Sequence, residues 1–196
     1  MLIMLLDLLK KRTSIRNFTG EDISKEVIQY ILEAGRLSPS GGNEQSWKFG
    51  VITDKNLIKE IAKISYNQKW IESASFLIVH CTCIVEAECG GRDIQKARFP
   101  ELSQAIDSMS DEIYSCLNLE EHQTKIPGTH MVLAALEHGI ASTWVSYFDV
   151  NKVSVLLNLP KSCIPSEILT FGYPVKKKEP LTKKNIEEIV FYNTFK

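Results

Sequence analysis

Residues 12–16 read RTSIR, two guanidinium side chains and two hydroxyls within one short stretch. A guanidinium makes forked, charge-assisted hydrogen bonds to phosphate oxygens, and a hydroxyl adds a neutral donor. In extended backbone Arg12, Ser14 and Arg16 project to one side, with Thr13 between them, so the segment can present a row of anion-binding groups. The same composition also suits a solvated turn after a helix. A second stretch, PSGGN (39–43), carries glycines that let the backbone approach a planar ligand, with Ser40 and Asn43 as directional hydrogen-bonding groups. By itself it reads equally as an ordinary helix-to-strand loop.

The elements that must position these groups follow from periodicity. Leu2, Leu5, Leu6 and Leu9 fall at helical spacing, which predicts an amphipathic first helix with one buried stripe. Ser24 can cap a helix with Val27, Ile28, Ile31 and Leu32 inward. Residues 38–46 form a loop, WKFGVIT (47–53) a strand, and Asp54 caps a helix with Leu57, Ile58, Ile61 and Ala62 inward. SFLIVHCTC (75–83) is an almost unbroken apolar run, the mark of a central strand covered on both faces. Residues 84–101 are polar and broken, as in a loop or lid, and a helix is expected with Leu102, Ile106, Met109, Ile113 and Leu117 on one face. After a break at Pro127–Gly128, HMVLAALEHG is apolar nearly all round, as in a buried helix stopped by Gly139. IASTWVSYF (140–148) is a strand entering a turn, DVNKVSVLLNLP a short helix, and EILTFGYP the last strand. Helices and strands mix without strict alternation, so the class is α+β.

The totals exclude some functions. The chain has 196 residues, 23 basic and 24 acidic, for a net charge of −1, and so lacks the basic excess of a general nucleic-acid or membrane-surface binder. Its five cysteines are an odd number in a chain too long for a disulfide miniprotein, which points to reduced thiols and a cytoplasmic protein. Cys81, Cys83 and Cys89 have no second Cys/His pair at ligand spacing to complete a metal site. The apolar amino terminus is shorter than the roughly 20 residues of a spanning helix, and KKR follows it rather than precedes it, unlike a signal peptide. His80, on the central strand, reads as a core residue with its polar atoms satisfied. The tail carries lysines in KKKEPLTKK (176–184), and EEIVFYNTF (187–195) is too apolar for a free disordered end, so it packs on something, such as a partner subunit.

The order of these pieces is more specific than any one of them. A leucine-rich helix, RTSIRNF, a helix and SPSGGNEQSWKF, then YNQKWIESASFLIV (66–79), HMVLAALEHGIASTWVSYFD (130–149) and FGYPVKKKEPLTKKNIEEIVFYNTF (171–195), resembles the FMN-dependent nitroreductase family along nearly the whole chain. Residues 84–125 are least family-like and read as a lid-like insertion within one domain. The resemblance implies a central, mostly antiparallel sheet flanked by helices. It also implies a homodimer with FMN at the subunit interface and a C-terminal arm, about 176–196, exchanged between subunits. The implied activity passes reducing equivalents from NADH or NADPH through the flavin to nitroaromatics, quinones or similar small acceptors.

Residue by residue, Arg12, Thr13, Ser14 and Arg16 match the segment that holds the phosphate, ribityl chain and ring edge. Pro39, Ser40, Gly41 and Asn43 match the loop that reaches the flavin from the other subunit, and Asn67 the asparagine at the ring's polar edge. Ser146 and Tyr147 match the turn whose backbone amides face the ring, and Lys183 and Lys184 the basic pair near the phosphate. The phosphate carries a charge of about −1.5 to −2, which Arg12 and a tail lysine can offset. The cofactor performs the redox step, so no catalytic side chain is called for.

Three departures stand out. Tyr147 replaces the usual glycine of the flavin-facing turn, Trp70 stands where the family often has a cation, and EQSW lacks the proline often found before the tryptophan. Two other readings remain open at this point: a related flavin enzyme of the dehalogenating or flavin-cleaving kind, and a non-catalytic flavin-binding protein.

Overall fold

The structure is a computed structural model that describes residues 4–83, 92–110, 113–114 and 119–194. Its centre is the pair β2 (Phe76–Cys83) and β4 (Cys163–Gly172), flanked by β1 (Trp47–Ile52) and β3 (Ala141–Val145). The strand order is β1-β2-β4-β3, and every neighbouring pair is antiparallel. β4 begins at Cys163, earlier than the strand expected from EILTFG, and a register shift between His80 and Cys81 leaves Ser166 without an opposite residue.

Both faces of the sheet are covered. Along β2, Leu77, Val79 and Cys81 point to one layer, where they meet Ile58, Ile61 and Ala62 of α3 (Lys55–Ile64). Phe76 and Ile78 point to the other, where they meet Ile28 and Ile31 of α2 (Lys25–Arg36) and Met131 and Ala135 of a long helix, Leu119–Glu137. This period-two division is why the strand must be apolar at nearly every position. Each fully buried Ile or Phe contributes about 1.5–3 kcal/mol relative to exposure. Ser24 and Asp54 cap α2 and α3 as their sequence suggests, accepting from backbone N–H groups of the first turn.

Four expectations are corrected. The first helix, α1 (Leu5–Lys11), buries only Leu8; Leu5, Leu6 and Leu9 are exposed, because no described residue of the same chain buries that side. The helix expected across 102–117 is interrupted: a 3-10 turn at Pro100–Leu102 leads into α5 (Ser103–Ser108), which ends at Met109, and Ile113 and Tyr114 are helical again. The Arg92 guanidinium, on α4 (Arg92–Arg98), donates to the carbonyls of Ile106 and Met109, which satisfies groups left open at the end of α5. Leu117 lies outside the described residues, as do Cys89, Cys116 and part of the expected lid.

The third correction concerns Pro127–Gly128. No break occurs there: α6 (Leu119–Glu137) runs straight through. A proline inside a helix costs about 3 kcal/mol for its missing hydrogen bond and its ring. Packing against α2 and the sheet offsets that cost, and Gly128 is where the Trp144 ring lies on the helix: a Cβ there would stand 2.4 Å from Trp144 Cη2. The fourth is His80. It is fully buried on β2, yet among the described residues neither ring nitrogen meets a partner at full hydrogen-bond geometry. Burial pulls its pKa down to about 4, slightly opposed by the nearby Thr124 backbone, so the ring is neutral near pH 7. Phe49 and Trp144 pack around it.

The remaining helix, α7 (Val150–Leu156), is capped by Asp149. The tail from Val175 to Thr194 is exposed throughout, with Ile186, Ile189 and Tyr192 standing out from the body. Among the described residues, no helix is long and apolar enough to cross a membrane, and no cluster of His, Cys, Asp or Glu could hold a metal ion.

Candidate functional site

The segment RTSIRNF is held against the sheet rather than set free as a turn. The chain leaves α1 at Arg12 with extended backbone and runs beside β3, where Ser14 bridges Ser142 in parallel. The Ile15 N–H donates to the Ser142 carbonyl at 3.2 Å, and Thr143 Oγ1 donates back to the Ile15 carbonyl. Beyond it, Phe18 bridges Pro174 and sits against Gly172, where a Cβ would meet the Phe18 ring at 2.8 Å. Ile15 and Phe18 are buried anchors, so Ser14 and Arg16 are turned outward. This pairing makes the RTSIR row rigid.

Arg12, Thr13, Ser14 and Arg16 all line one cavity of about 780 Å³. Its other walls are Leu6, Leu9 and Lys10 of α1 and Lys178, Pro180, Leu181 and Lys183 of the tail. The Val175 N–H donates to the Asn17 carbonyl at 3.1 Å, and this bond brings the lysine run opposite the arginines. A smaller adjoining hollow of about 410 Å³ is lined by Ser14–Asn17 and Lys176–Lys178. The larger wall contains only basic charges, and among the described residues none of Lys10, Arg12, Arg16, Lys178 and Lys183 makes an ion pair. Like charges gathered without internal counterions repel unless an anion joins them. Two guanidiniums, ammonium groups and hydroxyls form a donor set suited to a phosphate monoester, and the leucines and Pro180 suit the apolar part of a larger ligand.

Of the two expected tail cations, Lys183 lines the cavity and Lys184 does not. Lys178 takes part instead; the signal for it lay in the KKK run.

From the cavity the site continues through Arg16 to the turn at 66–73. The Arg16 guanidinium lies over the Trp70 ring at 5.7 Å from its centroid. Ser73 Oγ accepts from the Phe18 N–H at 3.2 Å and donates to the Trp70 carbonyl at 2.7 Å, which ties this turn to RTSIRNF. Tyr66 and Asn67 both have left-handed backbone, at φ 55° and 59°. That conformation is uncommon for a non-glycine residue and strained for a bulky one, and it marks a site where geometry is imposed. Asn67 is exposed, and its side-chain amide bonds to no described residue.

The same turn reaches Ser146 and Tyr147. Gln68 Nε2 donates to the Tyr147 carbonyl at 3.0 Å, and the Tyr66 and Tyr147 rings stack 4.1 Å apart at 20°. Both rings are largely exposed. Among the described residues the Tyr147 N–H finds no acceptor, so it is available to a ligand. Ser146 Oγ donates to Glu167, a buried carboxylate also paired with Lys125.

The PSGGN loop does not line the cavity within one chain. It is nonetheless fixed: the Gly41 N–H donates to Gln123 Oε1 at 2.7 Å, Ser40 Oγ accepts from the Gln45 N–H, and Ser38 Oγ meets His130 Nδ1 at 2.7 Å. Asn43 has left-handed backbone at φ 58° and, like Pro39, faces solvent. Gln68, Gln123, Glu167 and Lys125 escape a reading of the sequence, because their partners lie far along the chain.

Residues 9–104 match the profile of the Nitroreductase family. The chain is 44% identical over 194 residues to an oxygen-insensitive NADPH nitroreductase of Helicobacter acinonychis, covering 90% of each chain. It is 27% identical over 210 residues to an iodotyrosine deiodinase of Thermotoga neapolitana, covering 98% of this chain and 99% of that one. The fold is similar to that of the NADPH:FMN oxidoreductase of Vibrio harveyi solved with NAD+, with a TM-score of 0.78 at 21% identity over 98% of this chain and 78% of the other.

Proposed function

The chain belongs to the nitroreductase family, and from that premise we propose that it is an FMN-dependent oxidoreductase. It passes reducing equivalents from NADH or NADPH to nitroaromatic, quinone or similar small acceptors and works as a homodimer. The observation that carries the reading is the cavity walled by Arg12, Arg16, Lys178 and Lys183 with no counterion among the described residues.

The flavin supplies hydride chemistry when bound, and the protein supplies position and charge. Arg12 with Lys178 and Lys183 holds the phosphate, while Thr13 and Ser14 offer hydroxyls to the polar chain. Arg16, held by Trp70, sets a positive charge toward the ring edge. The free amide of Asn67 and the free N–H of Tyr147 give directional bonds to the ring's polar positions. Pro39, Ser40, Gly41 and Asn43 serve the site of the partner subunit. The dimer is supported by apolar groups that one chain leaves open: Leu5, Leu6 and Leu9 on α1, and Ile186, Ile189, Val190 and Tyr192 on the tail. In the dimer the tail is the exchanged arm. Lys184 lies next to a cavity-lining residue and supports the phosphate through its charge.

The test is direct. Purified protein is expected to be yellow, or to become so with added FMN, and to bleach with NADH or NADPH until an acceptor restores the colour. Colourless protein that takes up no FMN would overturn the reading.

A second reading, reductive dehalogenation, is favoured by the match to the deiodinase across nearly the whole chain. Turnover of a halogenated phenol faster than a nitroaromatic on flavin-loaded protein would establish it in place of the first.

A further inference from the structure

Glu167 lies on β4, one of the two central strands, and only 4% of its surface is exposed. Ile168 and Leu169 beside it are fully buried. An ionised carboxylate in such a place destabilises the fold unless it is hydrogen-bonded and paired. Both oxygens are engaged. Oε2 accepts from Ser146 Oγ at 2.6 Å, a length typical of a hydroxyl bonded to a carboxylate, and Oε1 faces Lys125 Nζ of α6 at 3.4 Å. An aliphatic side chain would serve the strand better, so the carboxylate calls for another reason.

That reason is the state in which it leaves Ser146. A serine hydroxyl has one proton and two lone pairs. Here the proton is committed to Glu167, so the hydroxyl of this exposed residue can only accept from a ligand. The next residue, Tyr147, has its carbonyl taken by Gln68 and its N–H free. The turn therefore offers a ligand one backbone donor and one side-chain acceptor, and Glu167 sets the polarity of the second. Lys125 pairs the carboxylate, so this polarity, rather than a net negative charge, is what the turn presents.

We propose that Glu167 is a positioning residue that locks the Ser146 hydroxyl as an acceptor and thereby biases the turn toward the reduced form of the bound flavin. The inference rests on the reading that the flavin ring lies at this turn. Taking up two electrons and a proton gives the ring an N–H where the oxidised ring has a lone pair. A locked acceptor attracts the first and repels the second.

Spectroelectrochemical titration of the FMN-loaded protein tests this. In Glu167→Gln, Lys125 draws the amide oxygen, the amide NH₂ faces Ser146, and the hydroxyl turns outward as a donor. The expected result is about a tenfold loss of preference for reduced over oxidised flavin, or about 30 mV for a two-electron couple. Ser146→Ala, which leaves Glu167 its Lys125 partner, is expected to shift the potential in the same direction, and the double variant to add nothing further. If Glu167→Gln does not fold, Ser146→Ala carries the test alone. An unchanged potential in Ser146→Ala with flavin retained overturns the proposal, as do opposite shifts in the two single variants. Failure of the parent protein to take up FMN overturns the underlying reading as well and is distinguished by the absence of colour.

Discussion

The Arg16 guanidinium rests on the Trp70 ring, 5.7 Å from its centroid. The ring fixes the direction in which Arg16 presents its charge. A cation–π contact at an exposed site contributes about 0.5–1 kcal/mol. Trp70→Ala should weaken FMN binding about two- to fivefold, read by quenching of flavin fluorescence. Unchanged affinity would mean that Arg16 needs no such support.

Arg12 has no ion-pair partner among the described residues and lines the cavity directly. A hydrogen bond to a charged group contributes about 1.5–3 kcal/mol. Arg12→Ala should therefore raise the Kd for FMN by about 10- to 100-fold while leaving thermal stability without flavin unchanged. Equal affinity would remove Arg12 from the phosphate position.

Tyr147 stacks on Tyr66 in the open, and its ring is expected to narrow the approach to its own backbone N–H. Removing the ring in Tyr147→Gly should raise kcat/KM for a bulky quinone by about tenfold more than for a small nitro compound, a pocket contact of about 1–3 kcal/mol. Steady-state rates with two acceptors of different size decide it. An equal change for both would separate the ring from the acceptor pocket.

His80 is held neutral by burial, with its pKa lowered from 6.5 to about 4. Between these values the unfolded chain binds a proton that the folded chain does not, so stability is fully present above about pH 6.5 and falls as the pH drops toward 4. The loss amounts to about 3 kcal/mol over that window. His80→Phe should flatten this part of the curve, as measured by urea unfolding at several pH values. An unaltered slope would assign the acid sensitivity to other groups.

Gly128 lets the Trp144 ring lie against α6. Gly128→Ala places a methyl group 2.4 Å from Trp144 Cη2. Overpacking of this kind costs about 1–3 kcal/mol, although alanine is the better helix former. A lower melting temperature by circular dichroism is expected, and a rise would show that the tryptophan moves aside freely.

Much of this was legible in the chain because it is written locally. The unbroken apolar run of β2 announces a strand covered on both sides, and Ser24 and Asp54 announce the helices they cap. RTSIR is ambiguous by itself and gains meaning from its place in the order of segments, and its rigidity comes from bonds to Ser142 and Thr143 that no spacing rule reveals. Pro127 misled because its local cost is plain in the sequence, whereas the compensating contacts on α2 and the sheet are distant. The leucines of α1 misled in the opposite sense: their spacing signals a buried face but not which molecule buries it. Glu167 reads as one acid among apolar neighbours, although a carboxylate at the head of the expected strand EILTFG, and inside the observed one, is itself a signal.

The cavity has one property that follows from its walls. Leu6, Leu9 and Leu181 belong to the segments whose apolar groups a single chain leaves uncovered. In the proposed dimer, flavin uptake and subunit association therefore stabilise each other, and by thermodynamic linkage each must change the affinity of the other by the same factor. Dilution alone should then bleed flavin from the protein, and excess FMN should hold the subunits together at concentrations where the apoprotein comes apart.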